Sequence, residues 1–137
     1  MKDVDSAIYL LGAILCADGL NDREKDHIKQ NIFQRLEKAH IHIELSAAKI
    51  AIYLKNIIPH TLTDICEIYE KNSQKEDFVI PEEIKKNCIK HIKNLTNHVQ
   101  KRDLEALIEE SIKVDGKISK QEHILKKFLI DEIEKHF

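Results

Sequence analysis

The chain has 137 residues, with 24 acidic against 22 basic side chains and a formal net charge of −2. That length fits one ordinary domain with a sizeable core, and the near balance of charge excludes a global field that would advertise nucleic acid or an anionic membrane as partner. Three glycines and two prolines are too few to punctuate an all-β fold. The expectation is therefore a single all-α domain over residues 1–137, of about seven helices joined by short loops.

Helix one is expected from Asp3 or Asp5 to Ala17, with the acids favourably placed in its first turn. It is apolar nearly all round and should be central. The apolar run Ala7 to Ala17 is not expected to act as a leader peptide, because Asp3 and Asp5 precede it where positive charge is needed and Leu15 stands where a small residue should precede Cys16. It is also too short to span a bilayer. Helix two follows Asn21 and runs to about Ala39, with Ile28, Ile32, Phe33 and Leu36 as its core face. The alternating segment His40 to Leu45 has no partner strand and reads as an extended connection.

Ser46 is expected to cap helix three, whose core face is Ala47, Ile50, Ala51, Leu54 and Ile58, and Pro59 to end it. Thr61 or Thr63 then caps helix four, with Ile65, Cys66, Ile68 and Tyr69 inward. Residues 72–81 form the longest linker-like stretch, tacked down by Phe78, Val79 and Ile80. Pro81 followed by Glu82 and Glu83 starts helix five, which should reach about Val99. Helix six runs from about Arg102 to Val114, and helix seven from Ser119 to the end, with Ile124, Leu125, Phe128, Leu129 and Ile133 inward. The three cysteines, Cys16, Cys66 and Cys88, are far apart in sequence and embedded in apolar helical patterns. They read as reduced core residues of a cytoplasmic protein, neither disulfides nor a CxxC metal site.

One phrase occurs twice. Ala17-Asp18-Gly19-Leu20-Asn21-Asp22-Arg23-Glu24 and Val114-Asp115-Gly116-Lys117-Ile118-Ser119-Lys120-Gln121-Glu122 both read as a corner between helices. An apolar helix runs into an Asp, a Gly ends it, and a capping residue with Glu three positions later opens the next. The same offset pairs Leu104 with Ala7, Leu107 with Leu10, Ile108 with Leu11 and Ile112 with Leu15, so an apolar stripe repeats along with the corner. Two such copies imply a pseudo-symmetric domain.

On these corners, Leu11 to Glu24 and Ile108 to Glu122, the chain resembles the TerB-like family, an all-helical domain named after a tellurite-resistance protein. The resemblance implies a non-catalytic cytoplasmic module that binds a protein partner in a stress response such as tellurite resistance. It also implies a metal site at the corner acids.

Asp18 and Asp115 stand at helix C-termini, where the helix dipole disfavours a carboxylate. In one reading each Asp accepts N–H groups of its own turn while Glu24 and Glu122 close capping boxes. In the other, Asp18, Glu24, Asp115 and Glu122 meet and hold a hard divalent cation, Ca²⁺ or Mg²⁺, which carboxylate oxygens suit. An EF-hand is excluded, since Lys25 stands where its final Glu belongs, and Cys16 and Lys113 occupy ligand positions.

Elsewhere, His40, His42 and Glu44 could hold a transition metal, but no further ligand is assignable and surface histidines are the better reading. His60, His91, His98 and His123 carry no motif. From Ile84 to Arg102 there are six basic residues and no acid, and Lys86, Lys90, Lys93 and Asn97 share one helical face that would suit RNA, an anionic lipid surface or an acidic partner protein. A plain solvated helix face is the reading the pattern favours. No aromatic is interleaved, which counts against nucleic acid. Nothing resembles a nucleophile elbow, a phosphate loop or a Cys–His pair, so no enzyme activity and no small-molecule substrate are expected.

Overall fold

The structure is a computed structural model that describes residues 2–17, 32–37, 46–72, 79–113 and 120–137. Apart from short turns and ends these residues are helical, with no strand among them. Six helices have defined ends: α1 (Lys2–Leu15), α2 (Ala47–Ile52), α3 (Ile58–Lys71), α4 (Glu82–Leu95), α5 (Lys101–Lys113) and α6 (Lys120–His136). A further helical stretch covers 32–37, inside the span expected for helix two. No helix among the described residues is long and apolar enough to cross a membrane.

α1 is the hub. Val4, Ala7, Ile8, Leu10, Leu11, Ala13 and Ile14 are all buried, as expected of a helix that is apolar on every side. It packs against α3, α4, α5 and α6. Gly12 explains the close approach of α3: a Cβ there would stand 2.9 Å from Ile65 Cδ1 and 3.2 Å from Leu62 Cδ2. Three of the last carbonyls of α1 have partners: Cys16 N–H donates to Gly12 O at 2.8 Å, the Tyr69 hydroxyl of α3 to Ala13 O at 2.7 Å and Ala17 N–H to Ile14 O at 3.3 Å.

α4, α5 and α6 complete the surround. Ile84, Cys88, Ile92 and Leu95 recur at i, i+4, i+8 and i+11 and are fully buried, so α4 spends its whole apolar face on the core. Leu104, Leu107 and Ile108 of α5 lie in the core with α1, and Leu125, Leu129 and Ile133 do the same for α6. Lys126 of α6 reaches Glu109 of α5 at 2.7 Å. The two corners themselves, 18–24 and 114–119, lie outside the described residues, as does the extended connection expected over 40–45.

Helices three and four, expected as separate elements, are one continuous run over 47–71. Pro59 does not end a helix. Ile57 and Ile58 keep helical angles, at φ −72, ψ −50 and φ −64, ψ −49. The run is instead widened at Tyr53–Ile57, where the Ile58 N–H reaches back five residues to Tyr53 O. A proline clashes with the carbonyl four residues upstream, and a π-turn placed just before it moves that carbonyl aside. Ser46 caps the run as expected, accepting from Lys49 N–H at 3.3 Å.

The expected core face of helix three holds at Ile58, which is buried, and at Leu54, which packs against the core, and fails before them. No residue of α2 is buried, Ala47 and Ala51 are exposed and Ile50 is only partly covered; burial starts at Tyr53. The π-turn accounts for this, because an extra residue in one turn rotates everything before it by about 100° relative to α3. Tyr53 meets Phe33 edge-on, with ring centroids 6.4 Å apart. Of the linker, Ile80 is buried and Val79 exposed, and Phe78 lies outside the described residues.

Candidate functional site

α4 carries the clearest functional feature. Its buried stripe forces Lys86, Lys90 and Lys93 to the opposite side, where all three are exposed, along with Asn94 and Asn97. At a rise of about 1.5 Å per residue, the lysines span about 10 Å of one helix face. Among the described residues no carboxylate lies within ion-pair distance of any of them. The nearby basic residues differ: Lys85 bonds Glu82 at 3.7 Å, Lys101 bonds Glu105 at 3.9 Å and Arg102 bonds Asp103 at 3.9 Å. Lys86 and Lys90 at i, i+4 and Lys90 and Lys93 at i, i+3 are like-charged neighbours, an arrangement that costs an isolated helix a few tenths of a kcal/mol per pair. The face begins with Glu82 and Glu83, both exposed, where the N-terminal end of the helix dipole favours acids. The result is a short dipolar surface, acidic at its head and basic along its body.

Of the corner acids, Asp18, Glu24 and Asp115 lie outside the described residues. Glu122 is described, in the first turn of α6, and is only 5% exposed. A carboxylate that deep at a helix N-terminus needs N–H donors or a cation to replace its water. Among the described residues no group of three or more His, Cys, Asp or Glu could hold a metal ion. His40, His42 and Glu44 fall outside the described set, His98 and His123 are exposed, and His60 is an exposed partner of Asp64 at 3.3 Å.

A second cluster, between α1 and α4, is one the sequence did not single out. Ser6 Oγ and His91 Nδ1 share a hydrogen bond of 2.9 Å, the His91 ring lies on Tyr9 with centroids 4.7 Å apart, and Asn87 Nδ2 donates to the Tyr9 hydroxyl at 3.0 Å. Burial lowers the His91 pKa, with Lys90 adding to the effect and Asp5 opposing it. Burial pushes the Tyr9 phenol up to about 12. Burial and the adjacent Asp5, to which it is hydrogen-bonded, do the same for Tyr53, also to about 12. The Ser–His pair is no nucleophile and base, because Ser6 is 1% exposed and no substrate could reach its oxygen. The signal available in the sequence was Ser6 itself, a polar residue at i, i+4 and i+7 from Leu10 and Ala13 on an otherwise apolar stripe.

All three cysteines are free thiols, Cys16 and Cys88 buried and Cys66 partly so. Burial raises the Cys88 pKa to about 12, so it is a core thiol with little thiolate character. No family model matches this chain, and no curated protein and no solved structure matches it either.

Proposed function

We propose that the chain is a non-catalytic helical binding module that holds an acidic protein surface against the Lys86, Lys90 and Lys93 face of α4. One observation carries this: three exposed lysines on about 10 Å of helix without a carboxylate partner among the described residues, a cost to the helix that an acidic ligand offsets. Membrane insertion is disfavoured because the apolar face of the same helix is already used in the core. The resemblance of the Asp-Gly corners to the TerB-like family supports a cytoplasmic stress-response setting, with tellurite resistance as its namesake.

The test is retention on immobilised poly-glutamate, with the Lys86→Glu/Lys90→Glu/Lys93→Glu variant alongside. The reading requires salt-sensitive retention that the variant loses while its circular dichroism stays native. Equal retention of both proteins would refute it, and preferential retention on single-stranded DNA or anionic vesicles would replace the protein partner with a polyanion.

The resemblance of the Asp-Gly corners supports a second role beside the first, a divalent cation, Ca²⁺ or Mg²⁺, held by Asp18, Glu24, Asp115 and Glu122. A cation that binds only the folded chain raises the unfolding midpoint, by about 2.7 kcal/mol of stability at 100 times its Kd. Melting in chelator and then with each ion should show that rise, and Asp18→Asn/Asp115→Asn should abolish it. No shift with either ion would reduce the corners to capping devices.

A further inference from the structure

The lysine face of α4 has a charge complement on the chain itself, on α3. The exposed side of α3 carries Asp64, Glu67, Glu70 and then Lys71. Laid antiparallel on α4, with residue numbers summing to 154, it sets Lys71 against Glu83 and Asp64 against Lys90, and leaves Glu67 within one residue of the position opposite Lys86. Glu83, Lys86 and Lys90 of the α4 face are then met by opposite charge, while Glu82 faces Asn72 and Lys93 faces Thr61. A long uniform polyanion would instead press negative charge on Glu82 and Glu83, so the dipolar order favours a short surface of mixed sign.

Resting on the proposed function, we infer that the acidic partner of α4 is α3 of a second copy of this chain, in a two-fold dimer that pairs α3 with α4 twice. α3 and α4 both pack on α1 and touch each other, so the two halves of the contact lie on neighbouring helices. That is the requirement of an isologous interface, in which each copy offers the same surface and each charge pair occurs twice. Among the described residues Asp64 is held by exposed His60 alone, at 3.3 Å, a weak competitor for a lysine. Because the pairs are exposed charges, the association is weak and screened by salt.

Symmetry makes the test specific. Sedimentation of the full chain should show a dimer at low ionic strength that dissociates at high salt. Lys90→Glu places like charges together at both contacts, and so does Asp64→Lys; each variant alone should dimerise at least about tenfold more weakly. An equimolar mixture of the two variants should dimerise again, since the carboxylate introduced at position 90 of one chain then meets the ammonium introduced at position 64 of the other, while the native pair forms at the second contact. A chain that stays monomeric at low salt, single variants that dimerise as the native chain does, or a mixture no tighter than its components would each overturn the inference. Poly-glutamate retention separates this failure from that of the broader reading: a monomer that still binds the polymer through its lysines keeps an acidic partner but not this one.

Discussion

At His91 a half-buried imidazole is bonded to Ser6 and stacked on Tyr9, and its pKa is lowered by burial and by Lys90. The sign follows directly. The unfolded chain takes up a proton near the ordinary value of 6.5 and the folded chain does so only at lower pH, so the neutral ring contributes stability that is present above 6.5 and lost as pH falls below it. The unfolding midpoint of the native protein should therefore drop more steeply between about pH 7 and 5 than that of His91→Gln, which keeps polar contacts without the titration. Parallel midpoint curves would show that His91 does not titrate differently on folding. Tyr69 offers a companion case without charge. Its hydroxyl donates to Ala13 O inside the core, at one of the carbonyls left over at the end of α1. Tyr69→Phe keeps the ring and strands that carbonyl, which should cost about 1–3 kcal/mol in chemical denaturation at unchanged m-value.

Gly12 stands at the crossing of α1 and α3, and it costs its helix about 1 kcal/mol relative to Ala. The near contact a Cβ would make with Ile65 and Leu62 is the reason for it. Gly12→Val should destabilise by about 1–3 kcal/mol through overpacking, and Gly12→Val/Ile65→Val should recover part of that by shortening the opposing side chain; additive losses in denaturant titrations would contradict a direct contact. At this scale the sequence was legible where a single period governed a segment. The stripe Ile84, Cys88, Ile92 and Leu95 announced both the buried side of α4 and the exposed side that carries Lys86, Lys90 and Lys93. It was illegible where one backbone device altered the phase. The register of α2 could not be read from Ala47, Ile50 and Ala51 because the π-turn at Tyr53–Ile57 rotates them off the core, and Pro59, ordinarily a stop, is tolerated for the same reason. The Ser6–His91 contact escaped because it joins residues 85 apart, and helical periodicity carries no information across that distance.

For the molecule as a whole, the arrangement is a hub with unequal dependents. α1 touches α3, α4, α5 and α6, whereas α2 buries no side chain and extends from α3 through a widened turn. Local opening costs little where few apolar contacts are lost and approaches the full unfolding free energy where many are. Amide exchange should therefore divide the helices: residues 47–52 exchange by local opening, while the middle of α1 and the buried stripe of α4 exchange only with global unfolding. Leu11→Ala removes buried volume from the hub, where Leu11 is 1% exposed, and should cost about 2–5 kcal/mol. That loss should appear in full in the exchange of α1 and α4 and scarcely at all in that of α2. If instead protection fell only within α1, the helix would be packed as an independent layer, and the support it gives to the lysine face of α4 would have to come from α3 and α6.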